Sequence, residues 1–210
     1  MGSTPGIPVA FSKGFNPTPN ISFGLAVATG IASTWDLVHI ELQHDESLEG
    51  AAARLQGQLP EGMDIRMAWR PRIKASQLGR AVSRVLFQVE RLPLSRRALE
   101  ERVASLQHRD VRIQKRNKKG QVQEISILEH IAHIRVLGEG KVLVGLKMHE
   151  GSGLRIQDLL EAAFTLPRDV VLASDVARRG LLYQGLDPTQ TDVGVHLPPT
   201  ISRKSEGQAA

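Results

Sequence analysis

The sequence predicts an α+β protein in which short strands pair into antiparallel sheets and helices pack on one face of them. Three observations carry this prediction. Apolar and polar residues alternate over short runs, the period of a half-buried strand. Between those runs, apolar residues return every three or four positions, the period of an amphipathic helix. Glycine and proline punctuate the junctions. At 210 residues the chain is long enough for one large domain or two small ones, and a 41% hydrophobic share suffices for a core.

The first strand pattern lies within residues 9–30, where Ile21, Phe23 and Leu25 alternate with small or polar neighbours. Residues 14–19, Gly-Phe-Asn-Pro-Thr-Pro, interrupt it. Pro17 and Pro19 fix φ twice and remove two backbone donors, so regular pairing must stop there. A second strand pattern covers 37–42, with Val38, Ile40 and Leu42 on one face. Ser47 is placed to cap a helix carrying Leu48, Ala51, Ala52, Leu55 and Leu59, which Pro60 and Gly62 end. Residues 63–69 read as a strand through Met63, Ile65 and Met67.

The pattern then begins again. Val85, Phe87 and Val89 alternate until Pro93, and Ser95 is placed to cap a helix with the stripe Leu99, Val103 and Leu106. Residues 111–114 lead into the basic turn Lys115-Arg116-Asn117-Lys118-Lys119-Gly120, and 122–127 lead away from it. Residues 134–137 and 142–146 flank Gly138-Glu139-Gly140, which predicts a hairpin. Ile156, Leu159, Leu160 and Ala163 mark another helix, and Val170, Val171 and Leu172 or their neighbourhood the last strand. The second half thus runs strand, helix, strands, helix, strand, which is the split βαβ or ferredoxin-like order. The first half follows the same plan without its opening strand and helix. The expected architecture is therefore two tandem ferredoxin-like units with antiparallel sheets, the first truncated at its N-terminus. They are expected over 1–78 and 79–187, with a flexible solvated tail over 188–210.

Several function classes fall away. The chain has no cysteine, so it can supply neither disulfides, thiolate metal sites and cysteine nucleophiles nor the ligands of an iron–sulfur cluster. No apolar run is long enough to span a bilayer and no secretory signal pattern opens the chain, so the expected location is the cytoplasm with no membrane partner. No P-loop, nucleophile elbow or dinucleotide fingerprint is present. His130 and His133 form an H-x-x-H pair beside Glu129, which one helical turn would aim at a metal. They sit among Ile127, Ile131 and Ile134 without a further ligand and read as surface or partly buried histidines, so neither a metal nor another cofactor is expected. Asp36, Asp45, Glu46 and Glu49 lack the spacing of a catalytic carboxylate pair, and no catalytic residue is assigned.

Two segments are candidate binding sites. Lys plus Arg total 27 against 22 acidic residues, a net charge of +5 that favours phosphate-rich or acidic partners, RNA among them. In the loop 12–19, Ser12 opens the segment, Lys13 supplies a charge, Gly14 permits close approach, Phe15 offers a stacking face and Asn16 can bond a base or phosphate. The alternative is an architectural loop whose Phe15 fills the core. In the second segment Lys115, Arg116, Lys118 and Lys119 concentrate four positive charges on a hairpin tip that can reach phosphates. Its alternative is a solvated turn that protects a strand edge.

Residues 8–24, Pro-Val-Ala-Phe-Ser-Lys-Gly-Phe-Asn-Pro-Thr-Pro-Asn-Ile-Ser-Phe-Gly, resemble the signature loop of the bacterial radical SAM-linked protein family, a domain of unknown function. Residues 37–42, the run 116–120 leading into Glu124-Ile125-Ser126-Ile127, and Gly151-Ser152-Gly153 before Leu154 resemble it too. The resemblance extends from about Pro8 to about Tyr183. It implies a non-catalytic accessory module that works with a radical SAM protein and presents RNA or an RNA-associated substrate. An RNA modification or processing enzyme with its site at 12–19 and a pure protein-interaction subunit are the alternatives. The chain departs from the resembled pattern at Thr18, where histidine is usual, and in lacking a basic strand and a Ser-His-Leu-Asp helix at its start. That second departure leads to the expectation that the native chain begins upstream or that a partner chain donates a strand. The incomplete first unit would then self-associate, while the half from about Ser83 would fold alone.

Overall fold

A computed structural model describes residues 6–70, 74–116, 120–149, 152–183 and 194–196. The chain opens with strands β1 (Ile21–Phe23), β2 (Ala32–Ser33) and β3 (Val38–Ile40), helix α1 (Leu48–Gln56) and β4 (Met67–Trp69). A 3₁₀ turn (Ala75–Gln77) and the short helix α2 (Leu78–Ala81) lead into β5 (Val82–Glu90), α3 (Arg96–Leu106) and the pair β6 (Arg112–Arg116) and β7 (Val122–Ser126). After the single turn α4 (Ile127–His130) come β8 (Ile131–Gly138), β9 (Lys141–His149), β10 (Ser152–Gly153), α5 (Ile156–Phe164) and α6 (Arg168–Leu172). Strands β11 (Asp175–Tyr183) and β12 (Gly194–His196) close the series. The fold is mixed α+β with antiparallel and mixed sheets. No helix among the described residues is long and apolar enough to cross a membrane.

Two compact units share the chain. Described residues within 1–22, 40–74 and 187–210 belong to the first, and those within 23–39 and 75–186 to the second. In the second unit the strands run in the order β11, β5, β9, β8, each antiparallel to its neighbour. Strand β10 pairs β9 beyond the end of β8, and β2 adds a parallel partner to the outer edge of β11, Ala32 opposite Ala177 and Ser33 opposite Arg178. Helices α3 and α5 cover one face. Val89, Val142, Val144 and Leu146 of the sheet pack with Leu99 and Leu106 of α3 and with Leu159, Leu160 and Phe164 of α5. Fully burying each such side chain stabilises by about 1.5–3 kcal/mol, which makes this layer the centre of the unit's stability. Local chemistry sets the boundaries. Ser95 Oγ accepts from the Ala98 amide at 3.1 Å and caps α3. Gly140 turns β8 into β9 at φ 57°, and a Cβ there would stand 2.5 Å from the Leu92 carbonyl, so only glycine fits.

In the first unit, Ser47 Oγ caps α1 by accepting from Gly50 at 3.0 Å. Strand β12 runs antiparallel to β4, Val195 opposite Ala68. The rest of the predicted tail over 188–210 lies outside the described residues.

Three elements differ from the periodicity reading. Residues 170–172 are helical, within α6, and the last strand of the sheet is β11. Three apolar residues fit either period, and Pro167 at the N-cap with Asp169 in the first turn starts a helix there. The strand expected over 63–69 shrinks to β4. The side chain of Gln56 takes the Met63 carbonyl at 3.0 Å and the Ile65 amide at 2.7 Å, so these backbone groups are satisfied outside any ladder. In β1 the expected half-buried positions Ile21 and Phe23 are exposed and Ser22 is the half-covered one. Strand β1 pairs with β3 alone in a two-stranded ribbon, where alternation divides the side chains into two sets without deciding which is covered.

Candidate functional site

The loop 12–19 is the tip of a small hairpin built on a knitted base in the first unit. Val9 bridges Leu42 and Phe11 bridges Pro19, both antiparallel. The Ala10 amide donates to the Glu41 carbonyl at 2.7 Å, the Asn20 amide to the Ala10 carbonyl at 2.8 Å, and the Glu41 amide to the Asn20 carbonyl at 3.1 Å. The carboxamide of Asn20 donates to the Glu41 carboxylate at 2.8 Å. Pro19 has no N–H to offer, and it stands opposite Phe11 between the Ser12–Thr18 and Asn20–Ala10 bonds, a position where the ladder needs no donor.

Ser12 and Thr18 close the tip. The Ser12 amide donates to the Thr18 carbonyl at 2.9 Å, the Thr18 amide donates to Ser12 Oγ at 3.0 Å, and the two hydroxyls share a bond at 3.1 Å. Thr18, which stands where the resembled pattern has histidine, here latches the loop. Beyond the latch, residues 13–17 are all exposed, and Phe15 is completely so. The core-filling alternative for Phe15 is thereby overturned: the aromatic face is free, with the Lys13 ammonium and the Asn16 carboxamide on the same tip. Such a tip can stack on a flat ring and contact phosphate. The ammonium of Lys13 is the only ordinarily titratable side chain among 13–17, so the tip offers binding groups rather than an acid–base pair.

The second candidate segment lies in the second unit. Strands β6 and β7 form the predicted hairpin, Arg112 opposite Ser126 through Arg116 opposite Val122. Of the four cations the structure describes the side chain of Lys115. Lys115 is half-buried in β6 and its Nζ donates to the Gly153 carbonyl at 2.8 Å, so it braces the hairpin against β10. Arg116 ends β6, and Lys118 and Lys119, at the predicted tip, lie outside the described residues.

His130 and His133 do not share a helical turn: His130 ends α4 and His133 belongs to β8. Among the described residues no group of His, Asp and Glu is gathered to hold a metal. His130 is held below the usual imidazole value, first by burial and then by the Lys115 ammonium.

One charged residue escaped the sequence reading. Arg178 is 1% exposed, facing inward from β11. Its Nη1 donates to the Leu25 carbonyl at 2.8 Å, its Nε to Ser33 Oγ at 3.2 Å, and its Nη2 pairs with Asp36. Burial pushes its guanidinium below its ordinary value. The signal was present in the alternation, since 176 and 178 share a phase in which Val176 is buried. Arg178 pins residues 25–36 to the sheet and has no solvent face with which to meet a ligand.

No curated protein and no solved structure matches the chain. A family model described as an uncharacterized protein conserved in bacteria matches residues 5–156. The matched span holds the latched loop, α1, the sheet as far as β9 and the basic hairpin, well over half of the chain, and the protein belongs to this bacterial family, domain of unknown function 2344.

Proposed function

We propose that the protein is a non-catalytic binding module that presents RNA, or a substrate carried on RNA, to a radical SAM partner protein. The observation that carries this reading is Phe15, a fully exposed aromatic side chain on a tip latched by Ser12 and Thr18. An exposed phenyl ring beside an ammonium and a carboxamide suits stacking on a base with contact to its phosphate. The radical SAM partner is what the resemblance of residues 8–24 implies, and these 210 residues offer no cysteine of their own to ligate a cluster. The second unit is read as a ferredoxin-like, split βαβ module, supported by its antiparallel order β11, β5, β9, β8 with α3 and α5 on one face. The first is read as a partial copy, supported by α1 followed by β4. Fluorescence anisotropy of a labelled single-stranded RNA tests the proposal. Phe15→Ala should weaken binding about tenfold, the loss of one stacked base. Undiminished binding by that variant would remove the loop from the site.

A second reading, a protein-interaction subunit, is favoured by the ribbon of β1 and β3, where Phe23 is 68% and Val38 43% exposed. Exposed apolar side chains on neighbouring strands mark contact surfaces. A pull-down from cell extract that survives nuclease treatment and is lost with Phe23→Ser and Val38→Ser would support it over RNA.

A further inference from the structure

Side chains of the second unit's sheet alternate between its two faces, and α3 and α5 occupy one of them. The residues of the opposite face follow from the registers. Arg84 stands opposite Lys147, Leu86 opposite Gly145, and Gln88 opposite Leu143. On the next strand His133 stands opposite Gly145 and Arg135 opposite Leu143. Arg84, His133 and Arg135 are exposed and Lys147 is partly so. Gly145 has a specific consequence at the centre of this face. A Cβ there would collide with three ring atoms of His133, so the missing side chain lets the imidazole lie over the strand. The result is an aromatic plate on the sheet, with the apolar side chains Leu86 and Leu143 beside it.

The charges of this face are sorted. Glu90, at one end, is engaged by Lys141 Nζ at 2.9 Å, and Asp175 by Arg91 at 2.5 Å. The side chains of Arg84, Arg135 and Lys147 enter no ion pair or hydrogen bond among the described residues. These cations flank the imidazole, two residues along the strands on either side. At a rise of about 3.3 Å per residue their rows lie about 13 Å apart, a length that spans about four phosphates of a stacked strand at ~3.4 Å each. Free cations around an exposed ring on an open sheet complement a flexible polyanion that has flat groups to stack. A duplex hides its base faces, and an acidic peptide has no need of the plate.

We infer that this open face binds a single RNA strand, taking its phosphodiester backbone on Arg84, Arg135 and Lys147 and stacking one base on His133. The inference rests on the reading of the protein as an RNA-binding module and adds a contact surface separate from the loop. The test is anisotropy of a 5′-labelled uridine 12-mer against the full chain across a salt series. The triple variant Arg84→Ala, Arg135→Ala, Lys147→Ala should flatten the slope of log affinity against log salt by about 2, at about 0.7 per lost phosphate contact on a single strand. His133→Ala should weaken binding about tenfold with little change in slope, and His133→Phe should restore it. These side chains lie on the uncovered face, and thermal melts matching wild type check that each variant is folded. If the sheet variants bind as wild type while Phe15→Ala binds weakly, the sheet inference is overturned and the loop reading stands. If wild type binds no RNA at low salt, both fall. Equal competition by an RNA duplex of the same length would overturn the stacking role of His133.

Discussion

At the scale of single residues, identity and position together decide whether a side chain serves the fold or faces a partner. Phe15 and Arg178 invert the usual rule that phenylalanine is buried and arginine exposed. The aromatic ring stands in solvent, and the guanidinium is buried beneath residues 25–36. Each inversion gives a prediction. Phe15→Ala should change unfolding free energy by no more than about 0.5 kcal/mol, as at other exposed sites, whereas a core phenylalanine would lose about 3–5 kcal/mol. A urea melt distinguishes the two. Asp36→Ala should destabilise by about 1–2 kcal/mol, less than a fully buried pair because the Asp36 side chain is 49% exposed. Hydrogen exchange in that variant should quicken first over residues 25–36; unchanged exchange there would show that the ion pair does not hold the segment. The sequence made Phe15 legible as a candidate, since an aromatic face beside Lys13 and Asn16 in one short loop combines groups that stack on bases and contact phosphate. Its exposure was not legible, because a loop's orientation depends on the Ser12–Thr18 latch and on the distant strand at Glu41.

At the scale of elements, what was legible was local. Ser47 and Ser95 announced helix starts, and both hydroxyls cap as expected, since a cap involves only the next three residues. Ser95→Ala should therefore lower stability by about 1 kcal/mol in a denaturant melt, and a loss below a few tenths would mean that the Arg96–Glu100 and Arg97–Glu101 pairs carry the start of α3 unaided. Short apolar runs were legible only as apolar: residues 170–172 fit both periods, and the proline before them selected the helix. The turn α4 carries a pH-dependent contribution. Burial and the Lys115 ammonium hold the His130 imidazole below its unfolded value of about 6.5. As pH falls, the unfolded chain takes up this proton before the folded one. The stabilisation is thus complete above about pH 6.5 and is lost as pH falls through the folded value. His130→Gln should lose less stability than wild type between pH 7.5 and pH 5, and equal losses in the two proteins would show that His130 titrates as a free imidazole.

At the scale of the whole molecule, the partition of the chain was the least legible feature, because it rests on contacts between residues far apart in sequence. Strand β2 joins β11 across some 145 positions, Ser33 opposite Arg178, and no period of two or 3.6 reports such a pairing. The sequence led to the expectation that the half from Ser83 onward folds alone. In the second unit, however, residues 23–39 supply the outer partner of β11 and the acceptors of Arg178, and Leu25 packs on the small cluster of Val82, Val85 and Leu181. A fragment of residues 83–183 keeps the larger core between the sheet and α3 and α5, so it should fold. It should do so less stably, by about 3 kcal/mol, because the buried guanidinium loses hydrogen bonds worth about 1.5–3 kcal/mol each when the donor is charged and must rearrange toward water. The loss should be concentrated at β11, whose outer edge becomes an unpaired template for other chains. Hydrogen exchange on the fragment should then show faster opening of β11 than of β9, together with association that grows with concentration. Protection of residues 176–182 equal to that in the full chain, in a monomeric fragment, would show that residues 23–39 lie on the sheet without stabilising it.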